Sequence, residues 1–154
     1  MKTATITKSN AKATSSRIEE EVSLQILRTA SDLEHASADY FKSFGLTMTQ
    51  YNVLRILRGA GPDGLCRNEV RDRMLAPVPD ATRLIDRLIA AGYARKDSNP
   101  DDKRYTTARI TPQGLALLAE MDEPVLEMHR SQLNQLSRTE LEQLVKLLKT
   151  VGNS

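Results

Sequence analysis

From Ser16 onward, Ile18, Val22, Ile26, Ala30, Leu33, Ser37, Tyr40 and Phe44 fall on one stripe with steps of three or four residues, the period of an α-helix. No Gly or Pro interrupts it before Gly45, so the stripe predicts a single helix about 43 Å long at about 1.5 Å per residue. A helix that outreaches a small domain and keeps its apolar stripe to the end is expected to bury that stripe against a second copy of the chain. Residues 1–15 are rich in Ser, Thr, Ala and Lys, with Ile6 the one large aliphatic residue. That composition predicts a disordered basic tail.

A second helix opens at Leu46-Thr47-Met48-Thr49-Gln50-Tyr51, with Thr47 as N-cap, Gln50 closing a capping box and Leu46 stapled to Tyr51. Val53, Leu54 and Leu57 continue it into Gly59-Ala60-Gly61-Pro62-Asp63-Gly64. Those six residues match G-x-G-x-x-G, but the dinucleotide fingerprint needs a strand before it and a helix opening within it. Here a helix precedes and Pro62 lies inside, so the stretch reads as a turn. Cys66 to Met74 is a short amphipathic helix with Val70 and Met74 inward, broken by Ala76-Pro77-Val78-Pro79. The helix after Pro79 turns Ala81, Leu84, Ile85, Leu88 and Ile89 inward and Asp80, Arg83, Asp86, Arg87 and Ala90 outward, and Gly92 ends it.

Two short helices across a tight break, the second with a basic outer face, describe a helix-turn-helix. Extended segments Tyr93–Lys96 and Thr106–Ile110 then flank a polar, turn-rich stretch, a hairpin placed as a wing. Thr111-Pro112 opens a further helix carrying Leu115, Leu118, Val125 and Leu133, with a kink expected at Pro124. Ser137 and Glu140 form a second capping box ahead of the stripe Leu141, Leu144, Val145, Leu148 and Val151. The expected fold is therefore mainly α: a winged helix-turn-helix over residues 46–111, with a small β-hairpin wing. Residues 16–45 and 112–151 supply long N- and C-terminal dimerisation helices. Ile18, Val22, Leu133, Leu141, Leu144 and Leu148 are the expected dimer contacts.

Composition narrows the function. The 154 residues, 40% hydrophobic and 27% charged, make one ordinary globular domain. No apolar run has the length of a membrane span or of a signal-peptide core, so the expected location is cytoplasmic. Aromatics are 4% with no Trp, too few for platforms that stack single-stranded nucleic acid. Cys66 is the only cysteine and has no internal disulfide partner. His35 and His129 have no Cys, Asp or Glu at metal-ligand spacing and read as surface or interface histidines; no metal or cofactor is expected. No nucleophile–base pair or phosphate loop survives, which argues against an enzyme. The net charge of +2 is unevenly spread: +3 over residues 1–15, −2 over 16–64, +3 over 65–111 and −2 over 112–154. A basic middle third is what a localised polyanion-binding face produces.

In order and spacing these pieces resemble the MarR family (multiple antibiotic resistance regulators) of bacterial transcriptional regulators. Leu46-Thr47-x-x-Gln50-x-x-Val53-Leu54 is similar to the family's second-helix opening. Thr82-Arg83-Leu84-Ile85-Asp86-Arg87-Leu88 with Ala91-Gly92-Tyr93-x-Arg95 resembles its recognition helix and first wing strand. Pro100-x-Asp102-x-Arg104 and Ile110-Thr111-x-x-Gly114 resemble the wing tip and the start of the fifth helix. The chain departs from the pattern at Asn99, where many relatives carry Asp. Asp80 and Ala81 stand where small hydroxyl residues are common, and Cys66 where Ser or Thr usually caps the third helix. The resemblance implies a homodimer that binds a pseudo-palindromic double-stranded DNA operator, usually as a repressor. It also implies release by a small lipophilic or phenolic effector held between the dimerisation and DNA-binding regions.

On that reading Arg83 and Arg87 face DNA from the recognition helix, with Thr82 and Asp80 as base readers. Lys103 and Arg104 act from the wing, Arg104 entering a narrow minor groove, while Asp102 orients Arg104. Arg67 and Asn68 reach phosphates near a helix N-terminus, and Lys96 is either a phosphate contact or a solvated strand end. Tyr40, Phe44 and Tyr51 are either core packing or the lining of an effector site. Cys66 is either a substitute cap or, at a helix N-terminus beside Arg67, an oxidisable thiol. A winged helix that contacts only protein is the alternative reading. The basic excess over residues 65–111 and Arg104 at the wing tip argue against it.

Overall fold

The computed structural model describes residues 4–75, 78–98 and 106–152, with side chains from Arg17 onward. Among the described residues six α-helices and three strands follow in the order α1 (Ala4–Ser43), α2 (Met48–Ala60), β1 (Leu65–Cys66), α3 (Arg67–Asp72), α4 (Ala81–Ala90), β2 (Ala94–Ser98), β3 (Thr106–Ile110), α5 (Pro112–Gln132) and α6 (Arg138–Gly152). The fold is mainly α, and its winged helix carries a small antiparallel sheet. The chain divides into two compact units, Met1–Met48 and Thr49–Ser154.

The first unit is α1 and the turn after it. At forty residues the helix runs about 60 Å at about 1.5 Å per residue. It begins at Ala4 rather than Ser16, so the expected disordered tail over residues 1–15 is corrected from Ala4 onward. The physical reason lies in propensity: the segment has no Gly or Pro, and its Ala and Lys residues extend a helix already nucleated downstream. Ile18 is 53% exposed and Val22 is exposed as well. Farther along, Ser37 and Phe41 are buried, and the Ser37 hydroxyl donates to the Leu33 carbonyl at 2.7 Å. The buried stripe thus passes through Phe41, one residue from the expected Tyr40.

The second unit has a continuous apolar core. Val53, Leu54 and Leu57 from α2, Val70 from α3, Ile85 and Leu88 from α4, and Leu118, Met121 and Val125 from α5 are all buried. Each such side chain contributes about 1.5–3 kcal/mol relative to exposure. The Gly59–Gly64 stretch finishes α2 and adds a 3-10 turn over Gly61–Asp63, as expected for a turn rather than a phosphate loop. Helix α3 is shorter than expected, ending at Asp72. Helix α5 runs through Pro124 to Gln132 as one element.

The sheet has the order β1-β3-β2. Ala94 faces Ile110, Lys96 faces Ala108 and Ser98 faces Thr106 across the hairpin, while Leu65 faces Ala108 on the other side. Strand β1 was not expected. Gly64 lets it lie close: its φ is +69°, and a Cβ there would stand 2.6 Å from both the Ala108 carbonyl oxygen and Arg109 Cγ.

A hydrogen-bonded junction joins the end of α4 to the start of α5. The Thr111 hydroxyl donates to the Gly92 carbonyl at 2.7 Å and accepts from the Gly114 N–H at 3.1 Å. The Thr111 N–H donates to the Tyr93 carbonyl at 3.0 Å. Gly114 sits so close to that carbonyl that a Cβ would overlap it. Helix α6 differs from the rest of the unit, because none of its residues is buried.

Candidate nucleic-acid interface

Helix α4 is amphipathic over its whole length. Ala81, Ile85 and Leu88 are buried, whereas Arg83, Asp86 and Arg87 are exposed, as its 3.6-residue period requires. Asp80 is the N-cap, its Oδ1 accepting from the Arg83 N–H at 3.0 Å. One oxygen of the expected base reader is therefore committed to the helix start. The same carboxylate lies 3.9 Å from the Arg83 guanidinium, which stays 74% exposed. Arg87 has no ion pair among the described residues, leaving two cations on the outer face with little or no compensation.

Asp86 does not pair within its helix. Its carboxylate instead accepts a hydrogen bond from Lys96 Nζ of β2 at 2.6 Å. Lys96 is thus exposed on its strand but ion-paired to α4. Arg67, at the start of α3, donates to the Thr82 hydroxyl at 3.3 Å. It joins α3 to α4, and Asn68 lies exposed beside it. Between α3, α4 and the hairpin opens a cavity of about 470 Å³, lined by Arg67, Thr82, Asp86, Lys96, Thr106 and Thr107 among others.

The hairpin's other face carries a compact charge cluster. Arg95 and Arg109 are directly opposed across β2 and β3, an arrangement that repels. Asp97 stands between them, 2.9 Å from Arg109 Nε and 3.6 Å from Arg95 Nη2. The expected wing-tip residues Asp102, Lys103 and Arg104 lie outside the described residues.

Cys66 is the half-buried N-cap of α3. Its backbone N–H donates to Glu69 Oε2 at 2.7 Å, and chiefly for that reason the Glu69 carboxyl titrates below the usual glutamate range. The capping reading of Cys66 thus has geometry behind it. Tyr40 and Phe44 make a tilted ring pair at 5.6 Å within the first unit. Tyr51 is buried in the second unit, with the Arg55 guanidinium 5.9 Å from its ring centre. His35 and His129 are exposed, and His129 Nδ1 is 3.4 Å from Gln132 Oε1. Among the described residues no group of three or more His, Cys, Asp or Glu could hold a metal ion. No described helix is long and apolar enough to cross a membrane.

Sequence reasoning missed the Lys96–Asp86 and Arg58–Asp122 pairs. The latter is a two-pronged bridge from α2 to α5, Arg58 Nη1 to Oδ2 at 2.9 Å and Nη2 to Oδ1 at 3.0 Å. Pairs that join different elements, here ten and sixty-four residues apart, leave no periodic trace in a sequence.

With this geometry in place, comparison with known proteins is specific. A family model described as MarR family matches residues 44–104. The multiple antibiotic resistance protein MarR of Salmonella typhimurium is 29% identical over 114 residues, covering 73% of this chain and 78% of that protein. The crystal structure of a MarR transcription factor from Planctomyces limnophilus is 36% identical with a TM-score of 0.68, covering 85% of this chain and 95% of that one. A mutant MarR from E. coli, crystallised in complex with operator DNA, shares the fold at a TM-score of 0.76 and 24% identity, over 85% of this chain and 93% of that one. Helix order, wing and these likenesses agree: the chain belongs to the MarR family and is a helix-turn-helix transcriptional regulator of that type.

Proposed function

We propose that the protein binds a pseudo-palindromic duplex DNA operator as a homodimer and represses transcription from it. The observation that carries this reading is the outer face of α4, where Arg83 and Arg87 stand exposed beside a β-hairpin. Exposed guanidiniums on a helix that fits the major groove serve both phosphate neutralisation and guanine recognition. The fold shared with an E. coli MarR mutant held on operator DNA supports the same docking. Arg67 and Asn68 supply phosphate contacts, Thr82 a base or phosphate contact, and Lys103 and Arg104 the wing contacts, with Asp102 orienting Arg104.

Dimerisation draws on the apolar faces left uncovered. Ile18 and Val22 on α1, and Leu144 and Leu148 on α6, are exposed in the single chain, while Leu133 and Leu141 are part-buried. A second copy covers them. Release by a small lipophilic or phenolic effector completes the reading, with Tyr40, Phe44 and Tyr51 as the residues through which to test it.

The test is a salt titration of binding to duplexes selected by the protein from a randomised pool. DNA binding requires log affinity to fall linearly with log salt, by about 0.9 per phosphate neutralised. A dimer requires the selected site to contain two related half-sites, about 34 Å apart for adjacent turns. Salt-insensitive binding, or no selected site, would instead favour a winged helix that contacts protein.

A further inference from the structure

We propose that Lys96 is a positioning residue for DNA binding: through Asp86 it fixes the wing hairpin against the recognition helix and removes Asp86's charge from that helix. The inference rests on the DNA-binding reading above and assigns Lys96 and Asp86 a task within it other than touching DNA.

The argument begins with where the hairpin is held. At its base Ala94 is buried, as is Ala108 opposite Lys96, and the Thr111 junction ties the adjoining backbone to the end of α4. Farther out, packing gives way to the 470 Å³ cavity bounded by Thr82, Ile85 and Asp86 on one side and Lys96, Thr106 and Thr107 on the other. Beyond Ala94 and Ala108, the hairpin side of that space is lined by the polar residues Lys96, Thr106 and Thr107. Among the described residues, Lys96–Asp86 is the only ion pair that crosses from hairpin to helix, and it does so at 2.6 Å. It sits two residues outward of Ala94, on the strand that leads into residues 99–105.

Charge gives the second strand of the argument. Asp86 lies on the exposed face of α4 between Arg83 and Arg87. Unpaired, its carboxylate would repel phosphates and compete with DNA for those guanidiniums. Paired with Lys96 it does neither. Lys96 in turn is oriented towards Asp86 rather than towards a phosphate, while Arg95 and Asp97, its neighbours along the strand, pair on the opposite face of the hairpin. Both members are about half exposed, so the pair adds little to global stability. Its effect is on geometry at the DNA surface.

The experiment is a double-mutant cycle in DNA affinity using the full chain, with Lys96→Gln, Asp86→Asn, the double variant and Lys96→Arg. Each is measured on a duplex selected by the wild type and on a random-sequence duplex across a salt series. Positioning requires each neutralising variant to lose about fivefold on the selected duplex, the value of one exposed pair. It requires the double variant to be no worse than either single one, and Lys96→Arg to retain affinity. The random duplex should change little, and the salt slope should stay constant for Lys96→Gln. The opposite pattern overturns the proposal: Lys96→Gln weakening both duplexes alike with a slope lower by about 0.9, Asp86→Asn binding both more tightly, and the effects adding. Lys96 would then be an ordinary phosphate contact. If the wild type selects no duplex and binds DNA without salt dependence, the DNA-binding reading itself fails.

Discussion

Cys66 and Glu69 close the first turn of α3, with the carboxylate accepting from the backbone and the thiol standing where an oxygen acceptor usually caps. Sulfur is the weaker acceptor, so Cys66→Ser should raise the melting temperature, by a gain of up to about 1 kcal/mol, and leave DNA affinity unchanged. A fall in either would mean that the thiol does more than cap. Glu69 and Glu140 both titrate below the ordinary glutamate range. Glu69 accepts from the Cys66 backbone, and Glu140 accepts first from the Ser137 hydroxyl and then from its N–H. Because both folded-state pKa values are depressed, the stabilisation is complete above the unfolded glutamate value. It disappears as pH falls through the folded values. Glu69→Gln combined with Glu140→Gln should flatten the acid limb of the stability profile, read by urea melts at stepped pH. Much of this was legible in the sequence: Ser137 and Glu140 stand at capping-box spacing, and the pattern around Cys66 placed it at a helix start. That Asp80 would cap α4 was not legible, because a carboxylate beside two arginines reads equally well as an ion-pair partner.

Single elements were predictable to the extent that their apolar period was unbroken. Helices α2, α4 and α6 lie close to their sequence-predicted spans. Strand β1 escaped because two residues carry no period, and its pairing with β3 is decided by the close approach of Gly64 to Ala108. The Arg58–Asp122 bridge belongs to this scale because it joins α2 to α5 two residues before Pro124. The hydrogen bonds from Arg58 hold Asp122 below the usual aspartate range, and the same bonds raise Arg58. Both groups are a third or more exposed, so solvent screening limits the pair to about 1 kcal/mol even with two-pronged geometry. Arg58→Gln and Asp122→Asn should each destabilise by about that amount, with the double variant little worse. Strict additivity in the urea midpoints would mean that the bridge contributes nothing. The contribution should persist at neutral pH and be lost only on acidification through Asp122's depressed pKa.

For the whole molecule, the feature that matters most is that α6 has no buried residue although Leu144, Val145, Leu147, Leu148 and Val151 lie along it. The uninterrupted stripe of α1 and the capped stripe of α6 make dimerisation an expectation of the sequence, and a single chain leaves Ile18 and Val22 of the one and Leu144 and Leu148 of the other exposed. If a second copy covers them, the melting temperature should rise with protein concentration. Leu144→Arg together with Leu148→Arg should shift sedimentation from dimer to monomer and abolish binding to a two-half-site duplex. A monodisperse wild-type monomer at micromolar concentration that still binds such a duplex at full affinity would remove the dimer from the proposal. What the sequence could not convey at this scale is which cations remain available to a ligand. That depends on Asp86 choosing Lys96 over its helical neighbours, a matter of three-dimensional proximity.

The Thr111 junction has a mechanical corollary. Helix α4 spans ten residues, about 15 Å at about 1.5 Å per residue, and is clamped at its C-terminal end to the first turn of α5. With Gly114 pressed against the Tyr93 carbonyl there is no slack at that joint, so α4 behaves as a lever arm fixed to α5. A tilt of about four degrees at the joint moves the Ala81 end by about 1 Å, enough to carry a hydrogen bond to a base edge beyond about 3.5 Å. If the protein binds an operator as proposed, recognition would tolerate very little angular error in α5, and a slight turn of that helix would switch binding off without unfolding, or even touching, the groups that meet DNA.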